Sequence, residues 1–205
     1  MTYSQRTTYR VRIRKTRVGG VLVVIAALAA ALGQSPESSP SSSSSRAAPP
    51  QREHHRALGE ADGAVPDGTT VFDDAIPGVT KLDPALLGAL REAATDAGVE
   101  FVVDSGWRSP AYQEHLLRQA VSKYGSEAEA ARWVATPKTS AHVSGDAVDI
   151  GGSGAAWLSE HGAVYGLCRI YGNEPWHYEL RPDAFDQGCP AMYADPTHDP
   201  RSNHE

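Results

Sequence analysis

The stretch SAHVSGDAVDIGG, residues 140–152, places one histidine and two aspartates among small residues. His142 and Asp149 are residue types that bind metal ions, and a third, His177, follows later in the chain. Two histidines and one carboxylate are a standard ligand set of catalytic zinc sites, and they leave the fourth position of the metal to water. These residues therefore predict a zinc site that activates water for hydrolysis.

Such a site also needs a base that takes a proton from the water. Glu174 lies three residues before His177, and Pro175 between them fixes the local backbone, so Glu174 can be held near the metal without binding it. Glu179 is a rival base, because it shares a strand face with His177. The alternative role of Glu179 is to orient a metal ligand or to form a surface ion pair.

Two short strands are predicted to position these side chains. In AVDI, Val148 and Ile150 alternate towards the core, which leaves Asp149 on the opposite face. In PWHYEL, His177 and Glu179 share the open face. The large side chains of PWHYEL are predicted to face the core: Trp176, Tyr178 and Leu180. The two open faces together would present the carboxylate and the imidazole to one point.

The remaining pattern indicates helices first and strands afterwards. Helices are predicted from Asp83 to Gly98, from Ser109 to Gly125, after the capping residue Ser126, and near residues 155–161. Further strands are predicted at 99–103 and 165–171, with irregular structure after Phe185. This order predicts an α+β fold, in which helices pack on one face of a small, mainly antiparallel sheet.

The charge of the chain is unevenly distributed. The formal net charge is −6, yet residues 1–33 hold six of the 19 basic residues and none of the 25 acidic ones. The remainder has 13 basic against 25 acidic residues, which argues against nucleic acid as a partner.

The first 60 residues are predicted to lie outside the catalytic domain. Residues 1–33 have a basic start and an apolar run, which predicts a signal peptide or an N-terminal membrane anchor through residues 18–33. Residues 34–60 are rich in serine and proline and are predicted to form a disordered linker. Either interpretation of the N-terminus exports the rest of the chain. In an exported chain, Cys168 and Cys189 are predicted to form a disulfide, the alternative being two separate buried thiols.

Three motifs resemble those of one known family, the VanY-like D-alanyl-D-alanine carboxypeptidases, which are zinc D,D-peptidases. The zinc signature Ser-x-His-x-x-Gly-x-Ala-x-Asp is matched from Ser140 to Asp149, and Glu-Pro-Trp-His is intact at residues 174–177. A Ser-Gly-aromatic-Arg-Ser element is matched at residues 105–109, with Gln113 downstream. The resemblance covers about residues 66–195.

The resemblance implies a role for each matched residue. It implies one Zn²⁺ per chain, bound by His142, Asp149 and His177, with Glu174 as the general base. It also implies that Arg108 binds the substrate and stabilises the oxyanion together with the zinc, a role that suits the fixed donors of a guanidinium. Residues implied to bind the substrate are Arg108, Gln113 and Ser140.

The resemblance further implies the zinc D,D-peptidase, or hedgehog-like, fold over a catalytic domain at 61–195, followed by a C-terminal tail at 196–205. The expected activity is removal of the terminal D-Ala from peptidoglycan stem peptides ending in D-Ala-D-Ala, by an exported monomer on the wall side of a bacterial plasma membrane. The motifs encode hydrolysis and not the subsites. L,D-carboxypeptidase or endopeptidase action therefore stays open, as does a wall-binding module without turnover.

Overall fold

A four-stranded antiparallel sheet lies at the centre of the described structure, a computed structural model that describes residues 57–203. The strands are β1 (Val103–Ser105), β2 (Ala147–Ile150), β3 (Leu167–Arg169) and β4 (His177–Leu180). Their order in the sheet is β1-β2-β4-β3, and every neighbouring pair is antiparallel. The predicted signal or anchor segment and residues 34–56 of the predicted linker lie outside the described residues.

Seven α-helices surround this sheet in the described part of the chain. They are α1 (Pro77–Thr80), α2 (Pro84–Ala97), α3 (Pro110–Tyr124), α4 (Glu127–Ala131), α5 (Ala141–Ser144), α6 (Gly152–His161) and α7 (Ala184–Gln187). Short 3-10 turns occupy Glu60–Asp62, Gly162–Tyr165, Pro196–His198 and Pro200–Asn203. Within residues 57–203, no helix has the length and apolar character needed to cross a membrane.

One face of the sheet forms the hydrophobic core. Val148, Ile150 and Tyr178 point to this face and are almost fully buried with Leu86 and Leu90 of α2. Helix α6 covers the same face, since the Tyr178 hydroxyl donates a hydrogen bond of 2.8 Å to the carbonyl of Ala155. The predicted α+β fold with helices on one face of an antiparallel sheet is therefore confirmed.

The two long helices begin and end where their local signals predict. The Asp83 carboxylate accepts hydrogen bonds from two backbone amides at the start of α2, and Gly98 ends that helix in the left-handed conformation. The Ser109 hydroxyl caps α3 in the same way, and Gly125 ends it. The prediction of both helices is confirmed, because each depends on residues adjacent in sequence.

The prediction of strand positions was less accurate. The strand predicted at 99–103 begins only at Val103, because the turn after α2 leaves Val99 exposed. The strand predicted at 165–171 shrinks to β3, since a 3-10 turn takes up the residues before it. Helix α6 begins at Gly152, before the predicted start near residue 155.

Trp176 departs from its predicted place in the core. Residues 174–177 form a turn, in which the amide of His177 donates a 3.2 Å hydrogen bond to the carbonyl of Glu174. Strand β4 therefore starts at His177, and the alternation that would bury Trp176 does not extend back to it. The indole is 39% exposed, so its prediction as a core residue was wrong.

The region after Phe185 also has more order than predicted. Phe185 lies within α7, and two 3-10 turns follow at Pro196–His198 and Pro200–Asn203. Tyr193 pairs with Tyr171 in an isolated parallel bridge. Residues 189–203, here called the C-terminal segment, thus pack against the end of β3.

Candidate active site

The second face of the sheet carries the polar side chains predicted to bind a metal. Asp149 of β2 lies opposite His177 of β4 in the antiparallel register, and Ser105 of β1 lies on its other side. Ala147 and Glu179 form the next pair on this face. A shift of one residue in the pairing of these strands would turn the polar side chains into the core. The alternation that buries Val148 therefore also determines the face on which Asp149 lies.

Three donor atoms converge on one point of this face. His142 Nε2 lies 3.2 Å from His177 Nδ1, and Asp149 Oδ1 lies 3.3 Å from each of the two nitrogens. All three side chains are buried. Zinc bonds of about 2.0–2.1 Å in a tetrahedron separate neighbouring ligand atoms by roughly 3.3 Å. The spacing of the three donors therefore fits a tetrahedral zinc with one open position.

His142 is held by a short helix and a glycine. The ring sits on α5, and its Nδ1 hydrogen-bonds the carbonyl of Gly106 at 2.8 Å, which directs Nε2 at the other donors. Gly145 ends α5 with φ 87°, and a Cβ there would lie 2.6 Å from the carbonyl oxygen of Lys81. Only glycine fits this conformation and this close approach, so the small residues of the stretch place His142.

His177 is oriented from behind by Glu179. His177 Nε2 lies 3.2 Å from Glu179 Oε1, so the neutral ring presents Nδ1 to the other donors. Glu179 is fully buried, and its carboxylate also accepts hydrogen bonds from Arg181 and Arg201. Glu179 thus lies on the side of the His177 ring that faces away from the triangle formed by His142 Nε2, Asp149 Oδ1 and His177 Nδ1, here called the donor triangle. From this position it can orient the ring.

Glu174 lies beside the donor triangle. Its Oε2 is 3.7 Å from His177 Nδ1, and its Oε1 is buried without a hydrogen-bond partner within the described residues. Burial raises the pKa of the Glu174 carboxyl to about 7, against the opposing effect of His177. A buried carboxylate with a free oxygen and a pKa near neutrality is suited to accept a proton.

Arg108 is fixed by three partners on the wall of the site. Its Nη2 donates to Asp149 Oδ2 at 2.9 Å, its Nε to Ser105 at 2.8 Å and its Nη1 to Gln113 at 3.1 Å. The side-chain amide nitrogen of Gln113 donates to the carbonyl of Ala135, so both ends of that amide are engaged within the protein. The ion pair between Arg108 and Asp149 was not predicted from the sequence.

Two of the three donors, His142 and Asp149, are in the protonation state that binds a metal, and the third, His177, is not. Burial and the nearby Arg108 lower the pKa of His142, which keeps that ring neutral. Burial opposes ionisation of Asp149, but the two histidines and Arg108 hold the pKa of its carboxyl well below the usual range. For His177, hydrogen bonds to Asp149 and Glu179 overcome the effect of burial and raise the pKa to about 9. This last ring must release a proton before it binds a metal.

A cavity of about 550 Å³ opens over the donor set. All seven residues predicted as ligands, base or substrate contacts line it: Arg108, Gln113, Ser140, His142, Asp149, Glu174 and His177. The Ser140 hydroxyl makes no hydrogen bond within the described residues. Four aromatic side chains complete the wall: Tyr124, Trp133, Tyr171 and Trp176. Sequence analysis missed this aromatic wall, because alternation along the predicted strand assigned Trp176 to the core.

A disulfide joins Cys168 of β3 to Cys189, with the two Cα atoms 5.5 Å apart. Cys168 lies opposite Glu179 in the register of β3 and β4, on the polar face of the sheet. The bond therefore attaches the start of the C-terminal segment to the strand beside the site. Asp146, whose role the sequence left open, accepts a hydrogen bond from Ser144 within its own exposed turn.

Comparison with known proteins shows similarity to one group of peptidases. A family model described as VanY, D-alanyl-D-alanine carboxypeptidase, matches residues 82–183. A D-alanyl-D-alanine carboxypeptidase of Enterococcus faecalis (strain ATCC 700802 / V583) is 35% identical, and the match covers 43% of each chain. The chain thus spans less than half the length of this curated relative.

Solved structures with similarity to the chain include two peptidases. The vancomycin resistance D,D-pentapeptidase VanY of a VanB-type cassette, solved with Zn(II), is 31% identical over 48% of this chain and 72% of its own, with a TM-score of 0.44. The LdcB LD-carboxypeptidase is 25% identical over 60% of this chain and 71% of its own, with a TM-score of 0.47. The match to the family model over residues 82–183 and the identity to the enterococcal relative support assignment of the chain to a VanY-like family, that of the D-alanyl-D-alanine carboxypeptidases.

Proposed function

We propose that this protein is an exported zinc metallopeptidase that removes the terminal D-Ala from peptidoglycan stem peptides ending in D-Ala-D-Ala. One observation carries the proposal: three buried donors are spaced for a tetrahedral metal, and the unpaired Glu174 oxygen lies beside them at a single cavity. A wall-binding module has no use for a buried base, which favours turnover. Similarity to the VanY family model supports the choice of bond, and the basic and apolar N-terminal sequence supports export.

His142, Asp149 and His177 would hold one zinc ion per chain. When bound, zinc supplies Lewis acidity, which lowers the pKa of water and polarises a carbonyl group. The hydrogen bonds from His142 to Gly106 and from His177 to Glu179 keep both rings in the orientation this requires.

Glu174 moves the proton of the reaction. Its carboxylate takes a proton from the attacking water as the water oxygen bonds to the scissile carbonyl carbon. The same carboxyl then gives that proton to the nitrogen of the departing D-Ala as the carbon–nitrogen bond breaks. In the metal-free protein, burial raises the pKa of the Glu174 carboxyl to about 7, so the group holds its proton more readily than an exposed glutamate.

Arg108 and Ser140 act on the substrate from the cavity wall. The guanidinium of Arg108 is immobilised by Ser105, Gln113 and Asp149, so its positive charge is in place when negative charge develops on the carbonyl oxygen. The Ser140 hydroxyl has no partner within the described residues and is free to hydrogen-bond the peptide. Gln113 acts chiefly by holding Arg108, as both ends of its amide are engaged.

The test is incubation of the full-length protein with defined muropeptides, followed by mass spectrometry with and without a chelator. We expect a pentapeptide stem to lose one alanine, a chelator to stop this, and added Zn²⁺ to restore it. Loss of alanine from tetrapeptide stems alone would establish L,D-carboxypeptidase action, and cleavage of cross-links would establish endopeptidase action. No change in any stem or cross-link would leave a wall-binding module.

A further inference from the structure

Glu179 is a fully buried carboxylate whose charge is balanced mainly from the C-terminal segment. Arg201 donates to both of its oxygens, from Nη1 to Oε2 at 2.8 Å and from Nη2 to Oε1 at 2.9 Å. Arg181 reaches only Oε2, at 2.6 Å. Arg201 is therefore the cation that contacts Oε1, the oxygen that lies against the His177 ring.

Arg201 is itself held firmly. Its Nε donates to both oxygens of Asp199, at 2.9 and 3.1 Å, and Asp199 is buried and accepts a 2.9 Å hydrogen bond from the Tyr171 hydroxyl. The planar guanidinium is thus fixed in a geometry that contacts two carboxylates at once. A lysine ammonium cannot reproduce this arrangement, because it lacks the rigid fork of donors.

The C-terminal segment that carries Arg201 is attached to the domain at several points. The disulfide at Cys189 ties its start to β3, and Asp195 forms an ion pair of 3.0 Å with Arg132. Arg201 lies beyond residue 183, where the match to the family model ends. The side chain also lies outside the lining of the site cavity, so any effect on the site must pass through another residue.

A buried carboxylate without a full set of partners is costly and tends to shift towards solvent. Such a shift would move the Glu179 oxygen that receives the His177 Nε2 hydrogen. The ring would then lose the hydrogen bond that fixes its tautomer and directs Nδ1 at the other donors. Partners of this kind typically affect metal affinity by about 10- to 100-fold.

We propose that Arg201 is a positioning residue for the metal ligand His177 and that it acts through Glu179. The inference rests on the proposed metal site. On this inference, the C-terminal segment helps to keep His177 in its metal-binding orientation, in addition to packing against β3.

The experiment measures zinc affinity of the full-length protein by competition with a chromophoric chelator, and so does not depend on turnover. We expect Arg201→Ala to weaken zinc binding about tenfold and Arg201→Lys to give a smaller loss. Glu179→Gln should weaken binding by a similar or larger factor. In the Glu179→Gln background, Arg201→Ala should add little, because the two residues act in series.

Arg132→Ala is the matched control, since it removes an ion pair of the C-terminal segment that does not touch Glu179. It should lower the urea midpoint of unfolding while zinc affinity stays within about twofold of wild type. Arg201→Ala with unchanged zinc affinity, or losses in the double variant that simply multiply, would overturn the inference. If Arg201→Ala fails to fold, Arg201→Lys decides the matter by the same measurement. A wild-type protein without zinc affinity would refute the proposed function and this inference together, whereas unaltered affinity in the Arg201 variants refutes the inference alone.

Discussion

Glu174 differs from the other buried carboxylates around the site in having an oxygen without a hydrogen-bond partner among the described residues. Asp149, Glu179 and Asp199 all accept hydrogen bonds from arginines. Despite burial, the pKa of each carboxyl is held below its usual range, by histidine and arginine side chains at Asp149 and Glu179 and by Arg201 at Asp199. Proton transfer needs a carboxylate that is not already committed. At the scale of single residues, the proposed base is thus distinguished by its unpaired oxygen.

We predict that Glu174→Gln lowers kcat by about 10²- to 10⁴-fold, because the amide cannot accept the proton of the attacking water. Zinc content should remain at one per chain, since Glu174 is not among the three donors. Both are measurable, by muropeptide hydrolysis and by metal analysis of the purified variant. Glu114→Gln on the surface of α3 is the control and should leave both unchanged. A Glu174→Gln variant with wild-type kcat would refute the assignment of the base.

Zinc binding should release a proton at neutral pH. In the metal-free protein, hydrogen bonds to Asp149 and Glu179 raise the pKa of His177 to about 9 despite burial, so the ring is protonated at pH 7. A metal and a proton cannot share Nδ1, and the apparent affinity should therefore rise about tenfold per pH unit up to about pH 9 and then level off. Calorimetry in two buffers of different ionisation enthalpy measures the released proton. Affinity independent of pH between 7 and 9 would contradict this prediction.

At the scale of elements, the register between β2 and β4 determines where two of the three donors lie. It sets Asp149 opposite His177, while the same two strands bury Val148 and Tyr178 on the other face. His142 comes from a different kind of element, the short helix α5, whose position depends on the close contact of Gly145 with the chain at Lys81.

We expect Gly145→Ala to destabilise the protein by more than the cost of a left-handed residue alone, which is about 1–3 kcal/mol. The new Cβ would lie 2.6 Å from the Lys81 carbonyl, so α5 must move and His142 with it. Gly125→Ala is a matched control, with a similar φ of 85° and no atom within 4 Å of its Cβ. Urea unfolding and zinc affinity should both separate the two variants; equal losses would show that the contact at Lys81 has no special importance.

Local signals predicted part of this fold and most of the candidate site. The Asp83 and Ser109 caps were predictable because each bonds an amide two or three residues away. The alternation in β2 likewise indicated the face of Asp149. The exposure of Trp176 was not predictable from alternation, because a turn set by Pro175 interrupts the strand pattern. The contact between Arg201 and Glu179 joins positions 22 apart in the sequence. It depends on tertiary packing, which no local sequence pattern predicts.

At the scale of the whole described molecule, the two faces of one small sheet have separate roles, one in stability and one in the candidate site. The apolar face and helix α2 form the core, and the polar face carries the metal donors. The C-terminal segment contacts this polar face through Arg201 and the disulfide at Cys189. The stability of the core is therefore largely separate from the chemistry of the site. The C-terminal segment is attached chiefly by polar contacts and by one covalent bond.

Loss of the disulfide should consequently affect the C-terminal segment before the core. Cys168 and Cys189 are 21 positions apart, and closure of a loop of this size stabilises a fold by about 3 kcal/mol in the chain-entropy description. We expect Cys168→Ala/Cys189→Ala to lose stability of this order in urea unfolding and to bind zinc more weakly. Reduced wild-type protein should behave in the same way. A double variant as stable as the oxidised wild type would contradict the prediction.

The aromatic wall has a practical consequence. Of the four tryptophans, Trp133 and Trp176 line the cavity and are each more than a third exposed, whereas Trp107 lies beneath the Lys81 ammonium and Trp157 packs on Phe101. Indole emission depends on the polarity around the ring, so a peptide that covers these two side chains should shift the intrinsic fluorescence. The molecule thus carries its own optical reporter of occupancy, and ligand binding can be followed in inactive variants, where no product ever forms.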